Sequence, residues 1–504
     1  MLRFLAYENG QPATEWPVRH AHLLGPDDIG IRASIQYLDG AVQCEKRAIG
    51  PASLALQINL PEAGELILQT CLLPDRDEPY LLMLELARHR LMKIIAKQEE
   101  WMMSDLPDDH TVSRRVALSK QRFIDALLHQ DDPPAADKLA RQSLILSIDA
   151  SEELAMAHAA SLLERRRQIG QSGRNIFLGT GIELDHHVEE IRQSLQANFD
   201  YLSLPMRWRQ IEPREGEYIW QGLDSWAEWA FRNRLPIMAG PLVSFDPAIL
   251  PDWTYIWEHD YEPIRDLVYE HVERVVSRYR NVVTLWNVVS GIHVNAQFDF
   301  SFDQLMDLTR AAIMVAKKVQ PNARTLIEIA QPFGEYYAAN QRSIPPAMYA
   351  ELAIQSGIPF DGFGIKLIMG HDRDGRSTRD LMQISSLFDQ FNGFDKPLHL
   401  TAVAVPSHPA DQRPAVDVAP DPPAENADGG HWRKHWSPNV QAHWLEAFYN
   451  IALSKPQVES IAWADLTDHP DAELPNGGLL TQSLQPKDAM RRLATFRQDL
   501  HGPT

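Results

Sequence analysis

The sequence is poor in cysteine, in long apolar runs and in basic residues. Its two cysteines, Cys44 and Cys71, exclude a disulfide-rich scaffold and a cysteine-based zinc site. Both lie in apolar, strand-like segments, where a buried free thiol is favoured over a disulfide. No window approaches the ~18 uninterrupted apolar residues of a membrane-spanning helix. The N-terminal segment also lacks the apolar core of a signal peptide, which predicts a cytoplasmic protein.

Acidic residues outnumber basic ones. The chain has 68 Asp and Glu against 48 Lys and Arg, and its formal net charge is −20. Such a field repels nucleic acid and anionic membranes, whereas a neutral ligand such as a sugar is compatible with it. The sequence has no P-loop, no glycine-rich dinucleotide fingerprint, no G-x-S-x-G elbow and no HExxH motif. We therefore expect no nucleic-acid or membrane partner and no cofactor.

Three regions follow one another along the chain. Residues 1–78 carry short strand-like runs between turns, which predicts a small β-rich domain. Residues 79–171 form a helical segment, with a break at Asp131–Pro134 and an amphipathic helix at Ser151–Arg167. In residues 172–504, apolar strand-like runs alternate with amphipathic helices, which is typical of a parallel α/β fold.

The alternating region contains enough repeats for a closed barrel. Eight candidate strands begin near Ile176, Tyr201, Pro236, Val282, Thr325, Gly362, Leu398 and Ile461. This number of repeats predicts a (β/α)8 TIM barrel, whose ligands bind at the carboxyl ends of the strands. A proline-rich insertion at residues 406–430 follows the seventh strand. It is expected at the barrel mouth, either as a surface loop or as a lid.

Two of these strands carry distinctive motifs, W-N-V-V-S-G at Trp286–Gly291 and L-H-L-T-A-V at Leu398–Val403. Together they resemble the catalytic strands of glycoside hydrolase family 10, the endo-β-1,4-xylanases. The first is similar to the family's W-D-V-V-N-E, which ends in the acid/base. The second is similar to I-H-I-T-E-L, which contains the nucleophile. Further similar blocks lie, in the family's order, at residues 206–216, 250–253, 357–364 and 478–489. The resemblance covers residues 174–497 and implies a TIM barrel with a sugar-binding cleft.

The resemblance also places Gly291 and Ala402 where the family has its two catalytic glutamates. Neither side chain can donate a proton or attack an anomeric carbon. Lys366–Ile368 stands in place of the family triplet whose histidine hydrogen-bonds the nucleophile. Standard retaining endo-xylanase activity is therefore not expected, and the sequence leaves open whether the chain is an enzyme.

Carboxylates elsewhere at the predicted strand ends could replace the missing pair. Retaining hydrolysis needs two carboxyl groups about 5–5.5 Å apart, and inversion needs them about 6.5–9.5 Å apart. We favour Glu328 and Asp465, because each lies in or beside a strand core. The other candidates are Glu183, Asp185, Asp246, Glu335 and Asp468. Each of these acids could instead be a solvated loop residue or a loop anchor.

Five residues at the predicted mouth are candidate ligand contacts. They are Arg207, Trp208, Asn287, Lys366 and Trp463. The resemblance implies that Arg207 replaces a sugar-binding lysine and that Trp463 is a stacking platform. An ion pair for Arg207, a buried amide for Asn287 and core packing for the tryptophans are the alternatives.

No metal site is expected, although histidines occur in pairs. His431 and His435 would share a face only in a helix, and a metal would also need His408 or Asp428 as a third ligand. The adjacent pair His186-His187 gives no stronger signal.

Three functions remain open. The first is a catalytically silent barrel that binds a carbohydrate or a protein through the cleft. The second is an active glycoside hydrolase that uses relocated carboxylates. The third is a structural or assembly protein that works through its N-terminal region. We favour the first, because both glutamates and a signal peptide are missing.

Overall fold

The computed structural model describes residues 1–168, 176–185, 189–409 and 429–501. The described chain begins with three small β-sheets. The N-terminal strands are β1 (Leu2–Leu5), β2 (Tyr7–Glu8), β3 (Gln11–Pro12), β4 (His22–Leu24), β5 (Gly30–Ile31), β6 (Ala33–Leu38), β7 (Ala41–Lys46), β8 (Ser53–Leu60), β9 (Gly64–Gln69) and β10 (Tyr80–Leu81). One sheet has the order β10-β1-β7-β6, a second contains β9-β8-β4-β5, and β2 pairs with β3 in a third. The strands share one apolar core, to which Leu54 and Leu56 of β8 contribute. The prediction of a β-rich N-terminal region is confirmed.

Three helices connect these sheets to the rest of the chain. They are α1 (Leu82–Glu100), α2 (Thr111–Leu128) and α3 (Pro133–Gln168). The predicted helix at Ser151–Arg167 is the second half of α3, which begins at the proline pair because proline fits the first turn of a helix. Leu144 of α3 packs in the N-terminal core, whereas Leu154 and Ala159 pack in the core of the C-terminal region. This helix therefore joins the two cores.

The C-terminal region is a closed parallel barrel surrounded by helices. Its strands are β11 (Phe177–Gly181), β12 (Tyr201–Pro205), β13 (Ile237–Gly240), β14 (Val243–Ser244), β15 (Val283–Ser290), β16 (Arg324–Ile329), β17 (Gly362–Ile368), β18 (Leu398–Ala404), β19 (His431–Trp432) and β20 (Val458–Trp463). Strand β11 pairs in parallel with both β12 and β20, and β13 pairs with β15, which closes the ring. Strands β14 and β19 are short additions outside the ring of eight. The predicted (β/α)8 TIM barrel is confirmed.

Amphipathic helices cover the barrel. They are α4 (Glu189–Asn198), α5 (Trp208–Ile211), α6 (Gln221–Arg232), α7 (Tyr261–Tyr279), α8 (Phe302–Val319), α9 (Tyr336–Ala339), α10 (Pro346–Gln355), α11 (Leu381–Asn392), α12 (Pro438–Ser454) and α13 (Asp488–His501). Helix α8 shows why they form: Ser301 and Gln304 make a capping box at its start, and Leu305, Leu308 and Ala312 face the core. Within the described ranges, no helix is both long and apolar enough to cross a membrane.

One strand of the barrel region belongs to an N-terminal sheet. Strand β19 pairs antiparallel with β9, so that His431 lies opposite Glu65 and Trp432 lies opposite Gly64. It follows the predicted insertion, of which residues 410–428 lie outside the described part of the chain, as do Asp428, His186 and His187. Cys44 and Cys71 form no disulfide.

Candidate functional site

The carboxyl ends of the barrel strands surround an open cleft of about 610 Å³. Ser290 and Gly291 line it from the end of β15, Gln331 from the segment after β16, and Lys366 from β17. The loops that follow β14, β17 and β20 contribute Asp246, Asp372–Arg376 and Glu473. This is the face of a TIM barrel where ligands bind, so we take the cleft as the candidate site.

The backbone at Gly291 is in the left-handed region, with φ 63°. A β-carbon built on this residue would lie 3.1 Å from Cβ of Ala330. The amide of Gly291 donates to the carbonyl oxygen of Glu328 at 3.2 Å, which ties this turn to β16. Because other residues adopt such a conformation at a cost, the turn itself favours glycine. Ala402, at the other family position, is half-buried on β18 opposite Lys366 of β17.

A three-residue ion cluster forms one wall of the cleft. Nζ of Lys366 lies 2.7 Å from Oε2 of Glu473, and Arg376 pairs with Oε1 of the same carboxylate. Burial alone would raise the pKa of Glu473, but the charges of Lys366 and Arg376 outweigh it and lower the pKa to about 2. The cluster therefore holds an ionised carboxylate in the cleft wall at neutral pH.

Glu328 lies beneath the cleft rather than in it. Its side chain is only 3% exposed and does not belong to the described residues that line the cleft. Asn287 Nδ2 donates to its Oε2 at 2.7 Å, and the Ser290 hydroxyl donates to its Oε1. Asn287 thus takes the buried-amide role, and Glu328 anchors the carboxyl end of β15.

Asp465 belongs to a second polar cluster, formed after the first and eighth strands. Its Oδ1 lies 3.5 Å from Nε2 of His469, whose Nδ1 lies 3.4 Å from Oε2 of Glu183. Arg207 approaches the same Glu183 oxygen at 3.7 Å. Burial lowers the pKa of His469, but the hydrogen bond and charge of Asp465, followed by the charge of Glu183, outweigh it and raise the pKa. Arg207 therefore takes the ion-pair alternative, and Asp465 does not line the cleft.

The remaining candidate acids are dispersed. Asp246 lines the cleft and accepts from the amide of Ala248 at 2.9 Å. Glu335 pairs with Arg379. Asp468 accepts from Lys487 Nζ at 2.7 Å and from the Gly478 amide at 2.9 Å, so it anchors a loop. Asp185 is exposed in a turn. Of the acids proposed from the sequence, Asp246 alone lies in the described wall of the cleft.

Both candidate tryptophans lie in the core. Trp463 is fully buried, and its indole N–H donates to the carbonyl oxygen of Gly477 at 2.7 Å. Trp208 is also buried; it stacks on His271 with ring centroids 4.2 Å apart and donates to Glu212 at 2.8 Å. Neither ring belongs to the described lining of the cleft, and this burial favours core packing over a ligand contact for both.

Several residues of the cleft were missed by sequence reasoning. Glu473 and Arg376 belong to long loops whose return to the mouth no local pattern reveals. Gln331 has φ 48°, a strained value for a residue with a side chain, and its Oε1 is buried without a partner among the described residues. A polar residue directly after a predicted strand was the one signal available for Gln331.

The His431–His435 segment is not helical. Its first two residues form β19, and the two imidazole rings lie 4.3 Å apart between centroids. The described residues contain no group of three or more His, Cys, Asp and Glu side chains arranged to hold a metal ion.

Comparison with known proteins adds a family match to this geometry. Glycosyl hydrolase family 10 matches residues 170–491. Endo-1,4-beta-xylanase 2 of Aureobasidium pullulans is 27% identical over 119 residues, which cover 23% of this chain and 32% of that protein. Endo-1,4-beta-xylanase B of Thermotoga neapolitana is 23% identical over 170 residues, covering 32% of this chain and 46% of that protein. The chain thus spans from about a third to just under a half of the length of these curated relatives.

The matches to two solved structures, in contrast, extend over nearly the whole length of those chains. The crystal structure of an endo-1,4-beta-xylanase from Caldicellulosiruptor owensensis is 18% identical, with a TM-score of 0.47, and the match covers 66% of this chain and 99% of that one. Xylanase 10B from Thermotoga petrophila, solved in complex with xylobiose, is 16% identical with a TM-score of 0.46, covering 68% of this chain and 98% of that one. The family match leaves residues 1–169 outside it.

Proposed function

This chain belongs to glycosyl hydrolase family 10, and from that premise we propose that its barrel mouth binds a carbohydrate without cleaving it by the family's double displacement. The observation that carries the proposal is the Lys366–Glu473–Arg376 cluster. A general acid must hold a proton near neutral pH, and a carboxyl group whose pKa is about 2 does not. A nucleophilic carboxylate must be able to approach the anomeric carbon, and the ion pairs with Lys366 and Arg376 hold Glu473 against the cleft wall and lower its nucleophilicity.

The positions that the resemblance assigns to catalysis support the same conclusion. Gly291 and Ala402 carry no ionisable group. Glu328 and Asp465 do not replace the missing carboxyl groups. Glu328 is buried and bonded to Asn287 of β15, and Asp465 contacts His469. A retaining or inverting mechanism needs two carboxyl groups facing one glycosidic bond.

The composition of the cleft supports a carbohydrate as its ligand. Lys366 and Arg376 supply donors, Asp246 and Glu473 supply acceptors, and Gln331 supplies both. Sugar hydroxyls donate and accept, so they match a wall of this mixed kind. A volume of about 610 Å³ lies within the ~300–1,000 Å³ typical of small-molecule sites.

One observation favours an active hydrolase as the second candidate. Asp246 and Glu473 both line the cleft, and Asp246 has no cationic partner among the described residues. In that case Asp246 would be the acid or base, and Glu473 would have to leave its cluster during turnover.

Binding and turnover measured side by side test the proposal. Calorimetry with xylohexaose and cellohexaose is expected to show saturable binding, which Lys366→Met weakens about tenfold through the loss of a charge-assisted hydrogen bond. Hydrolysis of an aryl β-xylobioside is expected to stay at the level of a boiled control.

Two outcomes would overturn this expectation. Turnover that disappears in Asp246→Asn or Glu473→Gln would establish a hydrolase with relocated carboxylates. If the parent binds neither xylohexaose nor cellohexaose, the proposal that the cleft binds a carbohydrate fails.

A further inference from the structure

The region outside the family match holds two loops of the barrel mouth. The first is the β17–α11 loop, residues 369–380, which contributes Arg373 and Arg376 to the cleft. The second is the segment 429–437, which includes β19 and leads into α12. We propose that residues 1–168 act as a clamp on these two loops, and that Glu152 of α3 is the central positioning residue of this clamp.

Glu152 bonds to both loops with one carboxylate. Its Oε1 accepts from the backbone amide of Leu381 at 3.1 Å, at the point where the β17–α11 loop enters α11. The same oxygen accepts from the indole N–H of Trp432 at 2.7 Å. Its Oε2 pairs with Arg433. The side chain is 3% exposed, so these contacts form away from water, where an unmatched donor is costly.

Strand β9 and helix α1 hold the β17–α11 loop at three further points. The amide of Ile67 donates to the carbonyl oxygen of Thr378 at 3.2 Å. Gln383 Nε2 donates to the carbonyl oxygen of Ile67 at 3.1 Å. Arg90 pairs with the buried Asp380 at 2.6 Å. Each of these bonds joins the N-terminal region to the last residues of the loop or to the first turn of α11.

The two loops also bond to each other. The amide and the hydroxyl of Thr378 donate to the carbonyl oxygen of Gly429, at 2.8 and 3.0 Å. Within the second loop, Trp436 donates its indole N–H to the carbonyl oxygen of Gly430 at 2.8 Å. Because β19 is paired with β9, displacement of either loop would strain the other.

The clamp reaches the cleft through Arg376. The carbonyl oxygen of this residue accepts from the amide of Gly370 at 2.8 Å, which closes the β17–α11 loop on itself. Its guanidinium donates to the backbone carbonyl oxygen of Glu473 at 3.0 Å and pairs with the Glu473 carboxylate. The position of the β17–α11 loop therefore determines where the Glu473 carboxylate lies in the cleft wall. The effect of the clamp on ligand affinity rests on the proposed function, whereas its effect on loop order does not.

Glu152→Ala in the full chain tests the clamp, and Glu153→Ala is the matched control. Glu153 is the next residue of the same helix, but it is 34% exposed and pairs with Arg115 within the N-terminal helices. Hydrogen–deuterium exchange is expected to accelerate about tenfold in peptides covering 369–381 and 429–437 of Glu152→Ala, and to stay unchanged in Glu153→Ala. The Kd for xylohexaose is expected to rise about fivefold in Glu152→Ala alone.

A second variant keeps the test valid if Glu152→Ala does not fold. Gln383→Glu retains the capping box with Asp380, because a glutamate at this position also accepts from the Asp380 amide, but it removes the donor to Ile67. It is expected to accelerate exchange in the β17–α11 loop without unfolding α11.

The outcomes separate the clamp from the proposed function. Faster exchange confined to α3 and the N-terminal sheets, or an equal response in the Glu153→Ala control, would overturn the clamp. If the parent does not bind xylohexaose, the carbohydrate proposal fails and exchange in the two loops alone decides the clamp.

Discussion

Lys366 and Glu473 meet at 2.7 Å across the mouth of the barrel, one from the end of β17 and the other from the loop after β20. Their contact joins two segments that are more than one hundred residues apart in the chain. It also places an ion pair in the cleft wall, next to the strand position that holds Ala402. Four properties of this arrangement and its surroundings can be measured directly.

The first prediction concerns acid stability. The pKa of Glu473 is lowered from 4.5 to about 2 in the folded chain, so its ionisation stabilises the fold above about pH 4.5. This contribution, on the order of 3 kcal/mol, is lost as the pH falls through about 2. We expect the difference in the free energy of unfolding between the parent and Glu473→Gln to shrink between pH 5 and pH 2. Urea unfolding at several pH values measures it, and a difference independent of pH would contradict the expectation.

The second prediction concerns His469. Its pKa is raised above 6.5 by Asp465 and Glu183 despite burial, so protonation stabilises the fold below pH 6.5, and the contribution is lost as the pH rises through the folded pKa. Nitrogen-detected NMR titration should find its imidazole protonated at pH 6.5 and should find a lower pKa in Asp465→Asn. His271, whose pKa burial lowers to about 3, should stay neutral over the same range and serves as the internal control.

The third prediction concerns the missing acid/base. Gly291→Glu would place a side chain at φ 63° and a β-carbon 3.1 Å from that of Ala330. We expect it to lower the free energy of unfolding by about 1–3 kcal/mol. Gly291→Asn should cost less, because asparagine tolerates the left-handed region better. Equal stability of the parent and the Glu variant in urea would show that the turn changes its backbone conformation to accept a side chain.

The fourth prediction concerns the role of Glu328, which we expect to stabilise the fold and not to contact the ligand. Glu328→Ala leaves Asn287 Nδ2 and the Ser290 hydroxyl without their buried acceptor, which is expected to cost about 2–4 kcal/mol. Glu328→Gln keeps one acceptor oxygen and should cost less. Urea unfolding gives the stability, and calorimetry with xylohexaose is expected to show no change in Kd for the Gln variant. A loss of affinity in that folded variant would place Glu328 in the binding site.

The periodicity of apolar residues was enough to predict the barrel. The exact start of a strand was missed where the strand begins with charged residues. Strands β12, β17 and β18 begin where the apolar runs do, at Tyr201, Gly362 and Leu398. Strand β20 begins earlier than Ile461, at Val458, and includes Glu459. This charge is tolerated because Arg324, at the start of β16, pairs with Glu459 at 2.7 Å. A partner that distant along the chain cannot be read from local sequence.

The candidate site was harder to predict for the same reason. The family resemblance implied a stacking role for Trp463, yet its indole N–H donates to the carbonyl oxygen of Gly477, in a loop that folds back over it. Glu473 lies in that loop too. Lys366 was within reach of sequence reasoning because it lies near the carboxyl end of a strand, whereas its partner depends on how the loop after β20 returns to the mouth.

The pairing of β19 with β9 has a consequence during synthesis. Gly64, with φ 109°, brings the edge of β9 so close to His431 that a β-carbon would lie 2.3 Å from the His431 carbonyl oxygen. That edge stays unpaired until most of the barrel has been translated, which takes roughly tens of seconds at ~5–20 residues per second. An uncovered strand edge invites pairing with other chains. We therefore expect the edge of β9 to be a site of unwanted pairing in the nascent chain until the ribosome has completed most of the barrel.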